Sequence, residues 1–214
     1  MTGAAQVPGV VGSQARGVAL LCMVVTFASG IGTSSDFIRF VGGVPPPVEL
    51  PHGSPGAERW AQIIKLGNKA SELAHKTAEP ERDFLSVLLV VLAVALSFTF
   101  VCALRVLRPG GLPREGVRKL LSASALFTAV LRTIEGAVQT ALSLRVARAM
   151  SSLIGQPGWD DSAFLAVRPY LVHSLVGPSV FFTVLVAGSL LLVAQYFRSA
   201  RMREWAAVQD RAPH

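Results

Sequence analysis

Residues 84–104 read FLSVLLVVLAVALSFTFVCAL and contain no charged side chain. At a helical rise of about 1.5 Å per residue, this run is long enough to cross the roughly 30 Å hydrocarbon core of a bilayer. An apolar run of this length is typical of a membrane span rather than of a soluble core. The run therefore predicts a transmembrane helix.

The composition of the whole chain also indicates a membrane protein. Hydrophobic residues make up 51% of the 214 residues and charged residues 15%, whereas a typical soluble domain has about 25% charged residues. The formal net charge is +7. The basic residues follow the apolar runs instead of forming one patch, which favours an anionic membrane surface as their partner. No nucleic-acid partner is predicted.

Three further apolar runs bring the predicted number of spans to four. The predicted spans lie at about residues 17–38, 84–104, 120–144 and 174–197. A cleaved signal peptide, ending near Ala28-Ser29-Gly30, is the alternative interpretation of the first run. In the fourth run, the helix either begins at Pro178 or bends there. We therefore predict an all-α fold, a four-transmembrane-helix bundle formed by residues 16–197.

The segments outside the spans differ in character. Residues 1–15 are small and weakly polar, and we predict a disordered tail. The loop 39–83 contains prolines 45–47, which favour extended structure, and then a helical pattern over residues 57–77 with Trp60 on a narrow apolar stripe. This short amphipathic helix either lies on the membrane surface or packs on its own neighbours. Residues 198–214 form a basic tail.

The distribution of basic residues predicts the orientation. Five basic residues fall within the fifteen residues 105–119, whereas six are spread over the fifty-one residues 33–83. The positive-inside rule gives most weight to short loops and span ends. We therefore expect residues 105–119 and both termini in the cytoplasm, and the loop 39–83 outside it.

Polar residues recur along the third predicted span at steps of four, three, four and four. They are Thr128, Arg132, Glu135, Gln139 and Ser143. On an α-helix this spacing places them on one face. Arg132 is expected near the middle of the membrane, where Glu135 can pair with it one turn away. This candidate intramembrane polar site is either a structural clamp, which the neutral pairing favours, or a site for conduction, proton transfer or ligand binding.

Other chemistry finds little support. The sequence contains no zinc-protease, nucleophile-elbow, phosphate-loop or dinucleotide pattern, so we predict neither an enzyme nor a bound cofactor. Cys22 and Cys102 lie in apolar runs and are predicted to be small buried residues, not metal ligands. His173 is predicted to be an ordinary polar residue at the interface. The fourth span repeats small residues at a spacing that lets helices approach closely: Ser179, Thr183 and Ala187.

Two short segments carry a family resemblance. The ending LLLVAQYFR at residues 190–198 and the turn GGLPR at residues 110–114 resemble those of small bacterial four-span membrane proteins, a family catalogued only as a domain of unknown function. The resemblance covers about residues 84–205. It implies a bacterial inner-membrane protein with no known activity, and it suggests a signalling role.

These features together predict a non-enzymatic, multi-pass inner-membrane protein that acts through protein partners. It would serve as an accessory subunit of a membrane assembly or as a sensor. The alternative is a small transporter or channel component that uses the polar stripe of the third span. The expected partners are the lipid bilayer and other membrane subunits or further copies of the chain.

Overall fold

A computed structural model describes residues 8–42, 57–108, 114–156 and 162–211, and within these ranges the chain is helical and has no strand. Seven α-helices have the following bounds: α1 Pro8–Val41, α2 Ala57–Ala78, α3 Arg82–Leu107, α4 Arg114–Leu153, α5 Ser162–Val167, α6 Leu171–Arg198 and α7 Ala200–Arg211. Short 3-10 turns, Glu79–Glu81 and Arg168–Tyr170, lead directly into α3 and α6.

Four apolar helical stretches in the described residues are long enough to cross a membrane. They are Val11–Ile38, Ile63–Leu107, Glu115–Leu153 and Leu165–Arg198. The prediction of an all-α chain with four membrane-length helices is therefore confirmed. Which side of a membrane the loop 39–83 occupies remains a prediction.

Helical structure extends further than the sequence predicted. Residues 8–15, expected in a disordered tail, form the first turns of α1, and the side chains of Val11 and Ala15 are buried there. Within the tail 198–214, α7 is ordered because Met202 and Ala206 are buried. Between the third and fourth predicted spans, the chain contains α5 and a 3-10 turn. Residues 1–7 lie outside the described residues.

The amphipathic helix predicted over residues 57–77 is confirmed as α2, which ends just before Pro80. Its side chains Leu66, Ala70 and Leu73 pack on a small core, which supports packing on neighbouring helices over lying freely on a membrane surface. The Trp60 side chain and prolines 45–47 lie outside the described part of the chain.

Helix α6 begins at Leu171 and continues through Pro178. Of the two alternatives for this run, a helix that begins at Pro178 is therefore excluded. Proline removes one backbone hydrogen bond, but apolar membrane helices tolerate this when neighbouring groups satisfy the freed carbonyl.

The chain divides into two compact units. The first unit comprises residues 1–34, 89–134 and 183–214, and the second comprises residues 35–88 and 135–182. The core of the first unit combines side chains of α1, α3, α4, α6 and α7, including Leu121, Leu190 and Phe197. Cys22 and Cys102 are free thiols within this core, as predicted.

The second unit has two smaller cores. One contains Val146, Met150, Ile154 and Leu171, and α2 packs against it. The other contains Ala78, Leu85 and Leu142. Two polar links add to this unit. Arg145 and Glu81 form an ion pair with an N–O distance of 2.7 Å, and the hydroxyls of Thr140 and Ser179 lie 3.4 Å apart.

Candidate functional site

The predicted polar stripe lies along α4, and its central members are buried. Thr128 and Arg132 belong to the first unit, and the other three residues belong to the second. Arg132 is 7% exposed and Glu135 is 1% exposed, whereas Gln139 and Ser143 are half-buried. Both charged residues lie in one uninterrupted helix, three residues apart, at the spacing that lets side chains meet.

Thr128 joins α4 to α3 inside the first unit. Its hydroxyl oxygen lies 2.9 Å from that of Thr99, and Thr99 donates a hydrogen bond of 2.8 Å to the carbonyl of Ala95. Each hydroxyl has one proton, so Thr128 donates to Thr99 when Thr99 donates to Ala95. Sequence reasoning missed Thr99 because it is a weakly polar residue inside the most apolar run of the chain.

Two further buried polar side chains, Ser122 and Arg118, lie nearer the start of α4. Arg118 is buried and donates from Nη1 to the carbonyl of Phe197, in the last turn of α6. Ser122 Oγ donates to the carbonyl of Ala194, one turn earlier, over 3.0 Å. The final carbonyls of a helix have no partner within it, so Arg118 satisfies one that would otherwise be orphaned. We call Arg118 and Ser122 with these two carbonyls the α6 clasp.

Glu115 neutralises the buried arginine of the α6 clasp. Its carboxylate accepts hydrogen bonds from Arg118 Nε at 2.8 Å and Nη2 at 2.7 Å, and Lys119 Nζ lies 3.3 Å away. These charge-assisted hydrogen bonds compensate the charge of Arg118 at the start of α4.

Within the first unit, helix α7 packs close to the start of α4. The backbone N–H of Glu115 donates to Asp210 Oδ2 over 3.1 Å, so a side chain of α7 caps the first turn of α4. At the other end of α7, Ser199 Oγ accepts a 3.4 Å hydrogen bond from the N–H of Met202. Trp205 packs against the core of the first unit. These contacts fix a segment that the sequence identified only as a basic tail.

A cleft of about 580 Å³ opens beside the α6 clasp. Its lining residues are Glu115, Arg118, Lys119, Ser122, Ala123, Arg198 and Arg203. Four of these side chains are basic and one is acidic, so the cleft has an excess of positive charge. Sequence reasoning missed the cleft because its basic residues were assigned to separate segments. Arg118 and Lys119 were assigned to the central loop, and Arg198 and Arg203 to the tail. The predicted topology offered a signal, since it placed both segments on one side of the membrane.

Two other residues singled out in the sequence differ in their exposure. Ala187 is buried in the first unit, which agrees with close helix packing at that position. His173 is exposed. In the part of the chain that the structure describes, no group of three His, Cys, Asp or Glu side chains is placed to hold a metal ion.

Comparison of the chain with protein-family models, curated proteins and solved structures gives no match. The resemblance to bacterial four-span proteins therefore stays a prediction. The four apolar helices indicate a multi-pass membrane protein.

Proposed function

We propose that the chain is a non-enzymatic, multi-pass protein of the bacterial inner membrane that acts through protein partners, as an accessory subunit or a sensor. The observation that carries this proposal is the unequal burial of the four apolar stretches. Those of α3 and α4 are 44% and 50% buried, whereas those of α1 and α6 are only 28% and 22% buried. Two helices thus leave most of their surface available to lipid or to another membrane helix.

A polar side chain on α6 favours a protein partner for part of that surface. Gln195 is exposed near the end of α6, in a segment that is otherwise almost entirely apolar. Amide side chains on membrane helices commonly hydrogen-bond across helix interfaces. A partner helix that supplies this hydrogen bond would use α6 as its contact surface.

The contacts of Thr128 favour a structural role for the part of the stripe that lies in the first unit. Its hydroxyl either donates to Thr99 or accepts from Thr99 while donating to the carbonyl of Ala95 at 3.3 Å, and both arrangements link α4 to α3. A conducting path would instead present such hydroxyls to water. The alternative function, a small transporter or channel component, draws its support from the buried charges of Arg132 and Glu135, since intramembrane charges commonly mark transport pathways.

Site-specific photocrosslinking in the native membrane tests the proposal. A photoreactive residue would replace Val24 on α1 or Leu192 on α6, which are 65% and 67% exposed, and Val94 on α3, which is also 65% exposed, serves as the matched control. We expect discrete protein adducts from Val24 or Leu192 and lipid adducts alone from Val94. Lipid adducts alone at all three positions would contradict the proposal.

A further inference from the structure

We propose that the cleft beside the α6 clasp binds the phosphate of an anionic phospholipid. This inference is independent of the proposed partner function. It rests on the charge of the cleft, on its place at the ends of two apolar helices and on the exposed apolar side chains next to it.

The charges of the cleft are only partly neutralised by the protein. Glu115 is shared between Arg118 and Lys119, while Arg198 uses its Nε to donate to Ser122 over 3.1 Å. This bond uses one of the five N–H donors of the Arg198 guanidinium. Among the described residues, Arg203 has no carboxylate partner. Arginine side chains hydrogen-bond phosphate oxygens in a two-point geometry, so Arg198 and Arg203 are the principal binding residues.

The position of the cleft matches the depth of lipid headgroups. Arg198 ends α6 immediately after an apolar run, and Lys119 immediately precedes the apolar part of α4. Arginine and lysine at the ends of membrane helices extend toward the headgroups. Basic pockets between membrane helices are a known form of binding site for anionic lipid headgroups.

Apolar side chains next to the cleft favour a lipid over a free phosphate. On α4, Ala123 lines the cleft and Phe127, one turn further along the same face, is exposed. On α6, Leu191 is exposed two turns before Arg198. An acyl chain attached to a phosphate in the cleft would cover these side chains, whereas a soluble phosphate would leave them uncovered.

The test measures lipid binding to the purified full-length chain in neutral detergent by native mass spectrometry. Phosphatidylglycerol is titrated against phosphatidylcholine with the same acyl chains, and inorganic phosphate is titrated separately. The cleft variant is R198Q/R203Q, and the matched control is R105Q/R201Q, which removes two exposed basic residues of the first unit from outside the cleft.

We expect the wild-type chain to prefer phosphatidylglycerol. The cleft variant should bind it roughly 10- to 30-fold more weakly, because each basic residue near a membrane surface contributes about fivefold. The affinity of the control variant for phosphatidylglycerol should differ from that of the wild-type chain by less than about twofold. Since Arg198 also bonds Ser122, R203Q alone provides a second variant that leaves the α6 clasp intact, and it should weaken binding about fivefold.

Three results would overturn the proposal. The first is an equal loss in the control, which would indicate diffuse surface charge. The second is unchanged binding in both R198Q/R203Q and R203Q. The third is binding of inorganic phosphate that saturates and is weakened by R203Q, while the wild-type chain shows no preference for phosphatidylglycerol over phosphatidylcholine.

Discussion

Arg118 is a charged side chain that lies almost wholly inside the first unit. A buried charge without partners would cost several kcal/mol. Here all three guanidinium nitrogens donate hydrogen bonds, two to the Glu115 carboxylate and one to the Phe197 carbonyl. The hydrogen bond to Phe197 makes this arginine part of the packing of α4 on α6.

The hydroxyl of Thr128 offers a direct measure of hydrogen bonding between α3 and α4. Thr128→Val keeps the shape of the side chain but removes the hydroxyl, so we expect a loss of about 0.6–1.7 kcal/mol in the free energy of unfolding. The control is Thr133→Val on the same helix. Thr133 is exposed and bonds only within α4, to the carbonyl of Ala129, so the control should change stability by less than about 0.5 kcal/mol. Denaturant titration in mixed micelles measures the free energy of unfolding of each variant. Equal losses in the two variants would argue against a hydrogen bond from Thr128 to α3.

Arg132 and Glu135 are predicted from their spacing to pair, either as a structural clamp or as part of a functional site, and both are buried. Replacing either one alone with leucine would leave an uncompensated charge, at a cost of roughly 3–5 kcal/mol. The double change to leucine should cost far less, because both desolvation penalties disappear together. The yield of folded protein in detergent measures this pattern.

The phenotype of the double variant in the host then separates the two functions under consideration. A folded, fully active double variant would make Arg132 and Glu135 structural. A folded but inactive one would assign them to a transport or ligand site. Single variants as stable as the wild-type chain would contradict the predicted pairing.

At the scale of elements, α7 is the main departure from the sequence prediction. Its core-facing residues Met202, Trp205 and Ala206 are too few to produce an apolar run, and basic residues flank them. Their burial depends on the surface offered by the first unit, to which α1 contributes from near its start. Helix α1 begins before the predicted span for a similar reason, because Val11 and Ala15 are buried in the same core. Neither effect can be derived from local sequence alone.

We expect Met202→Ala to release α7 from the other helices of the first unit. Met202 is fully buried, and removal of a large core side chain typically costs about 2–5 kcal/mol. Trypsin should then cleave after Arg203 at least several times faster than in the wild-type chain. The matched control is Val208→Ala, on the exposed side of the same helix, which should leave the cleavage rate unchanged. Equal rates in all three proteins would show that α7 is already accessible when Met202 is in place.

For the molecule as a whole, the sequence predicted the number of membrane-length helices correctly because each is marked by a long apolar run. It also predicted Thr128, Arg132 and Glu135 as residues of one helix face, and all three are buried. The cationic cleft was not predicted. Phe197 accepts a hydrogen bond from a residue 79 positions earlier in the chain, and such pairings depend on how the helices pack.

The orientation of the molecule is testable with reporter fusions. We expect fusions after Lys76 and Ser152 to report the outside, and fusions after Gly111 and His214 to report the cytoplasm, because basic residues concentrate beside the latter two positions. At each position the chain is fused separately to an enzyme that is active only outside the cytoplasm and to a fluorescent protein that is active only in the cytoplasm. A cytoplasmic signal after Lys76 would overturn the orientation or remove the first span.

The cap that Asp210 provides for Glu115 has a consequence for biosynthesis. Asp210 is translated 95 residues after Glu115. At about 5–20 residues per second, roughly 5–20 seconds separate the two events. During that interval the first turn of α4 leaves the ribosome without its capping carboxylate, and until Phe197 has been made α6 offers no carbonyl to Arg118. This end of α4 therefore reaches its final structure only after synthesis has passed α7, and a stalled nascent chain that ends before residue 210 would expose it.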